Sequence, residues 1–197
     1  MGMPKGRFFG RICNMKKYIP ITEQPYCCVP ACIQMLLLRR KLPLKSQEEI
    51  GHDLGLIVPQ KYRALFRKVR TGKKPKSGWG TQTGKWIYSV NNFFKKSKIN
   101  LKEEFFFLTK PKEIKEFLKE NLAKKDIIAC FNYQRLYNKA GDATGHVSII
   151  ESIEENYLTL IDPVYDVPKY RRVSLKKLAE AIQLHGKEKR AGFWVIS

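Results

Sequence analysis

Four residues, in the order glutamine, cysteine, histidine and aspartate, could together carry out nucleophilic chemistry: Gln24, Cys28, His146 and Asp162. A thiol becomes a nucleophile when an imidazole takes its proton, and an acid can hold that imidazole in the required tautomer. An amide side chain near the thiol can donate a hydrogen bond to the oxyanion that forms during attack on a carbonyl. These residue types therefore predict an activated cysteine that attacks an amide bond.

The segments that carry these side chains are predicted to be rigid elements. Cys28 opens an apolar segment typical of a buried helix, and Pro30 is tolerated because its missing N–H falls in the first turn. Residues 146–153 and 157–162 are rich in β-branched residues and predict two strands. The three-residue turn 154–156 makes a hairpin of them, so the histidine and the aspartate are expected to lie close together.

The rest of the chain predicts helices first and an antiparallel sheet later, which is an α+β arrangement. We expect the helix that carries the cysteine to pack against the sheet that carries the histidine, with a groove between them. The other predicted elements are a helix after a Ser46 capping box, a helix over 83–96, an extended segment over 100–108, a helix capped by Thr109, strands over 126–133 and 192–196, and a helix over 174–185.

The charge of the chain is strongly positive: 38 lysine and arginine residues against 18 aspartate and glutamate residues give +20. Residues 61–76, which we call the basic segment, contain no acidic residue. Such a surface attracts polyanions, namely nucleic acid, an anionic membrane surface or an acidic protein substrate. It is equally typical of a solvated basic face, and we favour that interpretation because no nucleic-acid-binding motif accompanies it.

Composition also sets expectations for compartment, cofactors and domains. The five cysteines are odd in number, which argues against a disulfide framework and for a reducing, cytoplasmic location. A zinc site would need a second distant ligand pair, so neither a metal nor a cofactor is expected. No apolar run approaches the roughly 20 residues of a membrane span. We expect a flexible basic N-terminal extension over residues 1–14 and one domain over 15–197.

The segment from Gln24 to Leu36 resembles the start of papain-like cysteine peptidases of the bacteriocin-processing (double-glycine leader) type and of their stand-alone relatives. In those proteins a glutamine precedes Cys-Gly-Pro-Ala and an apolar helix. Residues 145–146 and 162–163 are similar to their later Gly-His strand and Asp-Pro. Val29 departs from the family, which usually has glycine there, and Cys27 replaces a more usual acid or aromatic residue.

The resemblance implies a papain-like fold and a thiol hydrolase, most simply a cysteine peptidase acting on a peptide or protein. It implies that Cys28 is the nucleophile, His146 the base, Asp162 the orienting acid and Gln24 the oxyanion residue. The same site would also serve an acyltransferase or a deamidase. A further alternative is a catalytically lapsed binding module that uses the basic face for nucleic acid or an anionic surface. Nothing in the sequence sets the oligomeric state.

Overall fold

The computed structural model describes residues 17–141 and 144–197. The predicted extension over residues 1–14 lies outside the described residues. Among the described residues, no helix has both the length and the apolar character needed to cross a membrane. The described chain is α+β, as the sequence predicts, with helices before and around one large sheet.

A six-stranded antiparallel sheet forms the centre of the fold. The strands of the described chain are β1 Ile57–Pro59, β2 Arg70–Gly72, β3 Glu103–Phe106, β4 Asp126–Asn132, β5 Gly145–Glu154, β6 Tyr157–Ile161, β7 Tyr170–Ser174 and β8 Gly192–Ile196. The large sheet has the order β3-β8-β4-β5-β6-β7, and β1 pairs with β2 in a separate parallel ribbon. The predicted hairpin is confirmed, because β5 pairs with β6 through Glu154 and Tyr157.

Helices cover both faces of this sheet. They are α1 Cys28–Arg39, α2 Gln47–Asp53, α3 Val90–Lys96, α4 Pro111–Asn121, α5 Tyr133–Tyr137 and α6 Leu175–His185. One apolar core joins α1, α2 and α3 to the sheet through side chains such as Val147 and Ile149. A second core joins α4, α5 and α6 to the other face through side chains such as Phe131 and Leu160. Burial on both faces fixes the position of β5, the strand that carries His146.

Helix α1 is buried along most of its length, since every residue from Val29 to Leu37 is buried. A buried helix is expected to be apolar on all sides, and the one polar side chain from Val29 to Leu37, Gln34, donates to the Lys45 carbonyl at 2.7 Å. The helix ends where Lys41 adopts a φ of +56°, shortly before Pro43. Packing of α1 against the sheet therefore holds its first residue, Cys28, in a defined place.

The capping box predicted at Ser46 is present and starts α2. The Glu49 N–H donates to Ser46 Oγ at 3.2 Å, and the Ser46 N–H donates to Glu49 Oε2 at 2.9 Å. Helix α2 ends just before Gly55, whose φ is +67°. A Cβ there would lie 2.6 Å from the Tyr88 ring, so both the backbone conformation and the close packing require glycine.

Several elements differ from the sequence prediction, and α5, β1 and β2 were not predicted at all. The helix expected over 83–96 begins only at Val90, because the Ser89 side chain accepts from the Asn92 N–H and caps it there. Residues 86–88 form a 3-10 turn, and Trp86 is 83% exposed rather than part of an apolar stripe. The sequence predicts Thr109 as the cap of α4, but the residue that directly precedes α4 is Lys110. Pro111 fits the first turn of a helix and favours an extended conformation for the residue before it. The short, arginine-rich strand β7 was not predicted.

Candidate active site

Cys28 is the first residue of α1 and keeps part of its surface exposed. The positive end of the helix dipole favours a thiolate at this position. Burial and then the Glu23 carboxylate nevertheless raise the pKa of the Cys28 thiol well above its ordinary value, with the backbone of Val147 acting in the opposite direction. The resting thiol is therefore protonated, and a base must take its proton before it can attack.

His146 lies near the start of β5, opposite Phe131 of β4, and is 6% exposed. The Phe131 and Tyr133 rings meet the imidazole edge to face, with ring centroids 5.7 and 5.2 Å away. These contacts fix the plane of the imidazole. Its Nε2 atom lies 2.8 Å from Asp162 Oδ1, which leaves Nδ1 as the nitrogen able to act on the thiol.

Asp162 directly follows β6 and is fully buried. Besides His146, its carboxylate accepts hydrogen bonds from the Tyr137 hydroxyl at 2.7 Å and from the Val164 N–H at 3.1 Å. Burial by itself raises the pKa of Asp162, but the hydrogen bond and charge of His146 and the other two donors outweigh it, so the net pKa is lowered. Asp162 therefore stays ionised and can stabilise an imidazolium.

A second layer around Asp162 was not predicted from the sequence. The Tyr137 hydroxyl comes from α5, and Arg171 Nη1, from β7, lies 3.8 Å from Asp162 Oδ2. The Arg171 guanidinium also stacks over the Tyr137 ring, 3.4 Å from its centroid. No local pattern marks either residue, because their positions depend on the pairing of β6 with β7 and on the turn into α5.

The thiol and the imidazole come together, as the sequence predicts. The Cys28 sulfur, a His146 ring nitrogen and a Glu23 carboxylate oxygen all lie within 4.8 Å of one another. Hydrogen bonds between catalytic groups are often long before substrate binds. The arrangement can deprotonate a thiol beside a substrate carbonyl and stabilise the cation that results.

Glu23 is a member of this cluster that sequence reasoning missed. Its backbone N–H donates to the Pro163 carbonyl at 2.8 Å, which anchors it beside the residue that follows Asp162. Burial, the largest influence, raises the pKa of the Glu23 carboxyl; His146 acts against this and Asp162 adds to it. An acid five positions before a cysteine carries no recognisable signal by itself.

Gln24 is exposed at the surface beside this cluster. Its backbone N–H donates to Gln47 Oε1 at 2.7 Å, and its carbonyl accepts from the Cys27 N–H at 2.9 Å. These bonds fix its backbone one turn before the thiol. The oxyanion role of its side chain stays a prediction.

The other cysteines of the described chain are buried: Cys27, Cys32 and Cys130. Burial, with smaller contributions from nearby carboxylates, raises the pKa of Cys27 to about 12, which makes this rival thiol a poor nucleophile. Val29, the departure from the family pattern, is 4% exposed and packs in the core with α1. Its branched side chain is therefore directed into the protein interior.

The basic segment packs beside the thiol through its few apolar residues. Phe66 and Val69 are buried in a small core with Cys27, and the Tyr62 ring meets Tyr26 edge to face at 5.8 Å between centroids. The lysines and arginines of the segment are exposed. A strongly positive surface thus adjoins the residue that precedes Cys28.

Comparison with known proteins identifies the fold. No family model matches the chain, and no curated protein matches it. Among solved structures, a crystal structure of a candidate C39-like peptidase from Bacillus anthracis is similar over 93% of this chain and 94% of that chain, with a TM-score of 0.57 and 13% sequence identity. That identity supports the fold alone, and the bacteriocin-processing subfamily stays a prediction. The chain therefore has the α+β papain-like fold of a C39-like peptidase.

Proposed function

We propose that this protein is a cysteine peptidase that cleaves amide bonds in peptides or proteins. The proposed nucleophile is Cys28, the proposed base His146 and the proposed orienting acid Asp162. One observation carries the proposal: the thiol and an imidazole nitrogen lie within 4.8 Å of each other, while the other nitrogen, Nε2, lies 2.8 Å from a buried carboxylate. The papain-like fold supports the same assignment.

The first proposed step is attack on the substrate carbonyl. His146 Nδ1 takes the proton of the Cys28 thiol, and the resulting thiolate bonds to the carbonyl carbon. The carbonyl π-electrons move to oxygen, where the Cys28 backbone N–H at the start of α1 can donate to the oxyanion. Gln24 is the proposed second donor. Asp162 stabilises the imidazolium through Nε2.

The second step breaks the amide bond and regenerates the thiol. The imidazolium gives its proton to the leaving amine, which departs and leaves a thioester on Cys28. Water then attacks the thioester as His146 again takes a proton. The C–S bond breaks, the carboxylic acid is released, and the imidazolium returns its proton to the sulfur. Each step uses groups present at the site, and none requires a cofactor.

We further propose that acidic peptides are the preferred substrates. The basic segment is anchored by Phe66 and Val69 beside Cys27, the residue before the proposed nucleophile, and its lysines and arginines are exposed. Clusters of one charge sign raise the local concentration of oppositely charged ligands. Specificity would then reside in the part of the chain that the family resemblance does not cover.

The test compares alkylation of Cys28 by iodoacetamide at neutral pH in the wild type, in His146→Ala and in the control His52→Ala, whose histidine is exposed. Mass spectrometry measures the rate at each cysteine. We expect His146→Ala to slow alkylation of Cys28 at least tenfold and His52→Ala to leave it unchanged. Wild-type protein should also cleave a peptide library, and Cys28→Ala should not.

Equal rates in the wild type and in His146→Ala would contradict the proposed role of His146. Cleavage retained in Cys28→Ala would contradict the proposed nucleophile. Adding amines during cleavage separates hydrolysis from acyl transfer, because a transferase would yield amide products with the amine.

A further inference from the structure

The cluster at the start of α1 brings together three side chains that differ in chemistry but share the ability to bind a metal ion. The Cys28 sulfur, a His146 nitrogen and a Glu23 oxygen lie within 4.8 Å of one another. We propose that these three side chains form a zinc-binding site and that bound zinc reversibly blocks the thiol. The blocking effect rests on the proposed function, whereas the binding of zinc does not.

Glu23 provides the observation that sets this cluster apart from a simple catalytic pair. Its Oε2 atom is buried and has no hydrogen-bond partner among residues 17–141 and 144–197. A buried carboxylate oxygen without a partner is costly, and the proposed peptide cleavage does not use it. A metal ion bound between this oxygen, the thiol and the imidazole would supply the missing partner.

His146 is oriented as a metal ligand would be. Its Nε2 atom faces Asp162 at 2.8 Å, which leaves Nδ1 free to bind a metal on the side of the thiol. Zinc-binding histidines almost always direct their second nitrogen to a carboxylate, a backbone carbonyl or water, which fixes the ring and raises its basicity. Asp162 is held in turn by Tyr137, so this outer layer is already formed.

The distances and charges suit zinc. Tetrahedral zinc with sulfur, nitrogen and oxygen ligands holds those atoms about 3.3–3.6 Å apart. The ligand atoms need to approach one another by at most about 1.5 Å, and rotation of the Glu23 and Cys28 side chains can provide this while the Glu23 backbone stays bonded to Pro163. A thiolate and a carboxylate together balance the two charges of Zn²⁺.

Binding would exchange a proton for the metal. The Cys28 S–H bond breaks, its proton passes to solvent, and the sulfur lone pair forms the bond to zinc; no electron is transferred. Water would occupy the fourth coordination position of the zinc ion. The thiolate selects zinc over magnesium or calcium, which prefer oxygen ligands. A sulfur bonded to zinc cannot attack a carbonyl, so zinc would inhibit until a chelator removes it.

Sequence spacing gives only part of this site. Four residues separate Glu23 from Cys28, which is within the spacing of one zinc ligand pair, but the third ligand is more than a hundred residues away. Only the contact between Glu23 and the loop after β6 brings the carboxylate to the thiol.

The test titrates the whole chain with Zn²⁺ by calorimetry and with Co²⁺ by absorption spectroscopy, because a cobalt–thiolate bond absorbs in the near ultraviolet. The variants are Glu23→Gln, Cys28→Ser and, as matched control, Glu104→Gln, whose carboxylate is exposed and paired with Lys102. We expect one zinc per chain, at least tenfold weaker binding in Glu23→Gln, no cobalt–thiolate band in Cys28→Ser, and no change in the control.

Unchanged zinc affinity in Glu23→Gln, or a cobalt–thiolate band that persists in Cys28→Ser, would overturn the proposal. A measurement without variants gives a second check: Zn²⁺ should slow alkylation of wild-type Cys28, and EDTA should restore the rate. Unaltered alkylation in saturating Zn²⁺ would also overturn it. Zinc binding by a chain that cleaves no peptide after EDTA treatment would instead count against the proposed peptidase.

Discussion

His146 Nε2 lies 2.8 Å from Asp162 Oδ1, although the two residues are 16 positions apart in the chain. Antiparallel pairing of β5 with β6, which sets Ile149 opposite Ile161, places Asp162 beside the first half of β5. A carboxylate at this position favours the tautomer protonated on Nε2, which leaves Nδ1 as an acceptor for the thiol proton. The hairpin therefore holds the imidazole in the orientation that the proposed base requires.

The first prediction concerns this pair. Asp162→Asn should lower kcat/KM for peptide cleavage by roughly two to four orders of magnitude, because an amide can hold His146 in the wrong tautomer and cannot stabilise its cation. The measurement is steady-state cleavage of a library-derived peptide. Asp166→Asn serves as control because Asp166 is exposed. A loss of less than threefold in Asp162→Asn would show that the acid is dispensable.

The second prediction concerns the hydroxyl that holds Asp162. Tyr137→Phe removes the 2.7 Å hydrogen bond to Asp162 Oδ2 but keeps the ring beneath Arg171. A hydrogen bond to a charged group contributes about 1.5–3 kcal/mol, so the unfolding free energy should fall by about that amount. Chemical denaturation measures it. Tyr165→Phe, at a residue 78% exposed, should have no effect.

The third prediction concerns the far end of α1, where Asp126 is buried among cations. Its carboxylate contacts the Tyr18 hydroxyl and Arg39, and Arg40 Nε lies 2.5 Å from Oδ2. Asp126→Asn leaves these arginines without their buried counter-charge and should lower the unfolding free energy by about 3–5 kcal/mol.

Urea unfolding of the wild type and of Asp126→Asn measures this difference. Asp53→Asn serves as the control because Asp53 is partly exposed. Alkylation of Cys28 at a temperature where the variant is folded should keep its wild-type rate, because Asp126 acts on the packing of α1 rather than on the thiol. Equal stability of the two variants would contradict a structural role for this cluster.

The fourth prediction concerns pH and His185, the last residue of α6. Burial, followed by Lys189, lowers the pKa of His185 to about 4. In the unfolded chain the histidine pKa is about 6.5, so between these values the unfolded chain binds the extra proton and the folded chain does not. The contribution of His185 to stability is therefore complete above about pH 6.5 and is lost as the pH falls towards 4.

Unfolding free energies at about pH 7.0, above the interval between the two pKa values, and at about pH 4.5, near its lower end, test this. The wild type should lose more stability across the interval than His185→Gln, while His52→Gln, at an exposed histidine, should behave as the wild type does. The opposite order would mean that His185 is charged in the folded protein.

The fifth prediction concerns the basic segment. Lys73→Glu combined with Lys74→Glu should raise KM for an acidic peptide about tenfold and change kcat little, because both side chains are exposed and bind no reacting atom. Lys112→Glu combined with Lys119→Glu gives the same change in net charge on α4 and should have little effect. The difference should shrink in high salt, which screens exposed charges.

Much of the site could be predicted because its parts are locally encoded. The apolar run after Cys28 and the proline in its first turn define the start of α1. Alternating β-branched residues on either side of a three-residue turn define the hairpin that carries His146 and Asp162. The prediction was wrong where two local signals competed. The aromatic periodicity suggests a helix from residue 83, but the Ser89 cap starts α3 later, at Val90.

The sequence by itself determined the cysteine at a helix start, the histidine at a strand start and the aspartate at a strand end, because helix and hairpin signals depend only on neighbouring residues. Tertiary structure alone decided that Glu23 joins the thiol, that Tyr137 and Arg171 surround Asp162, and that the basic segment borders Cys27. Those contacts join segments far apart in the chain, and packing on the two faces of one sheet sets their distances.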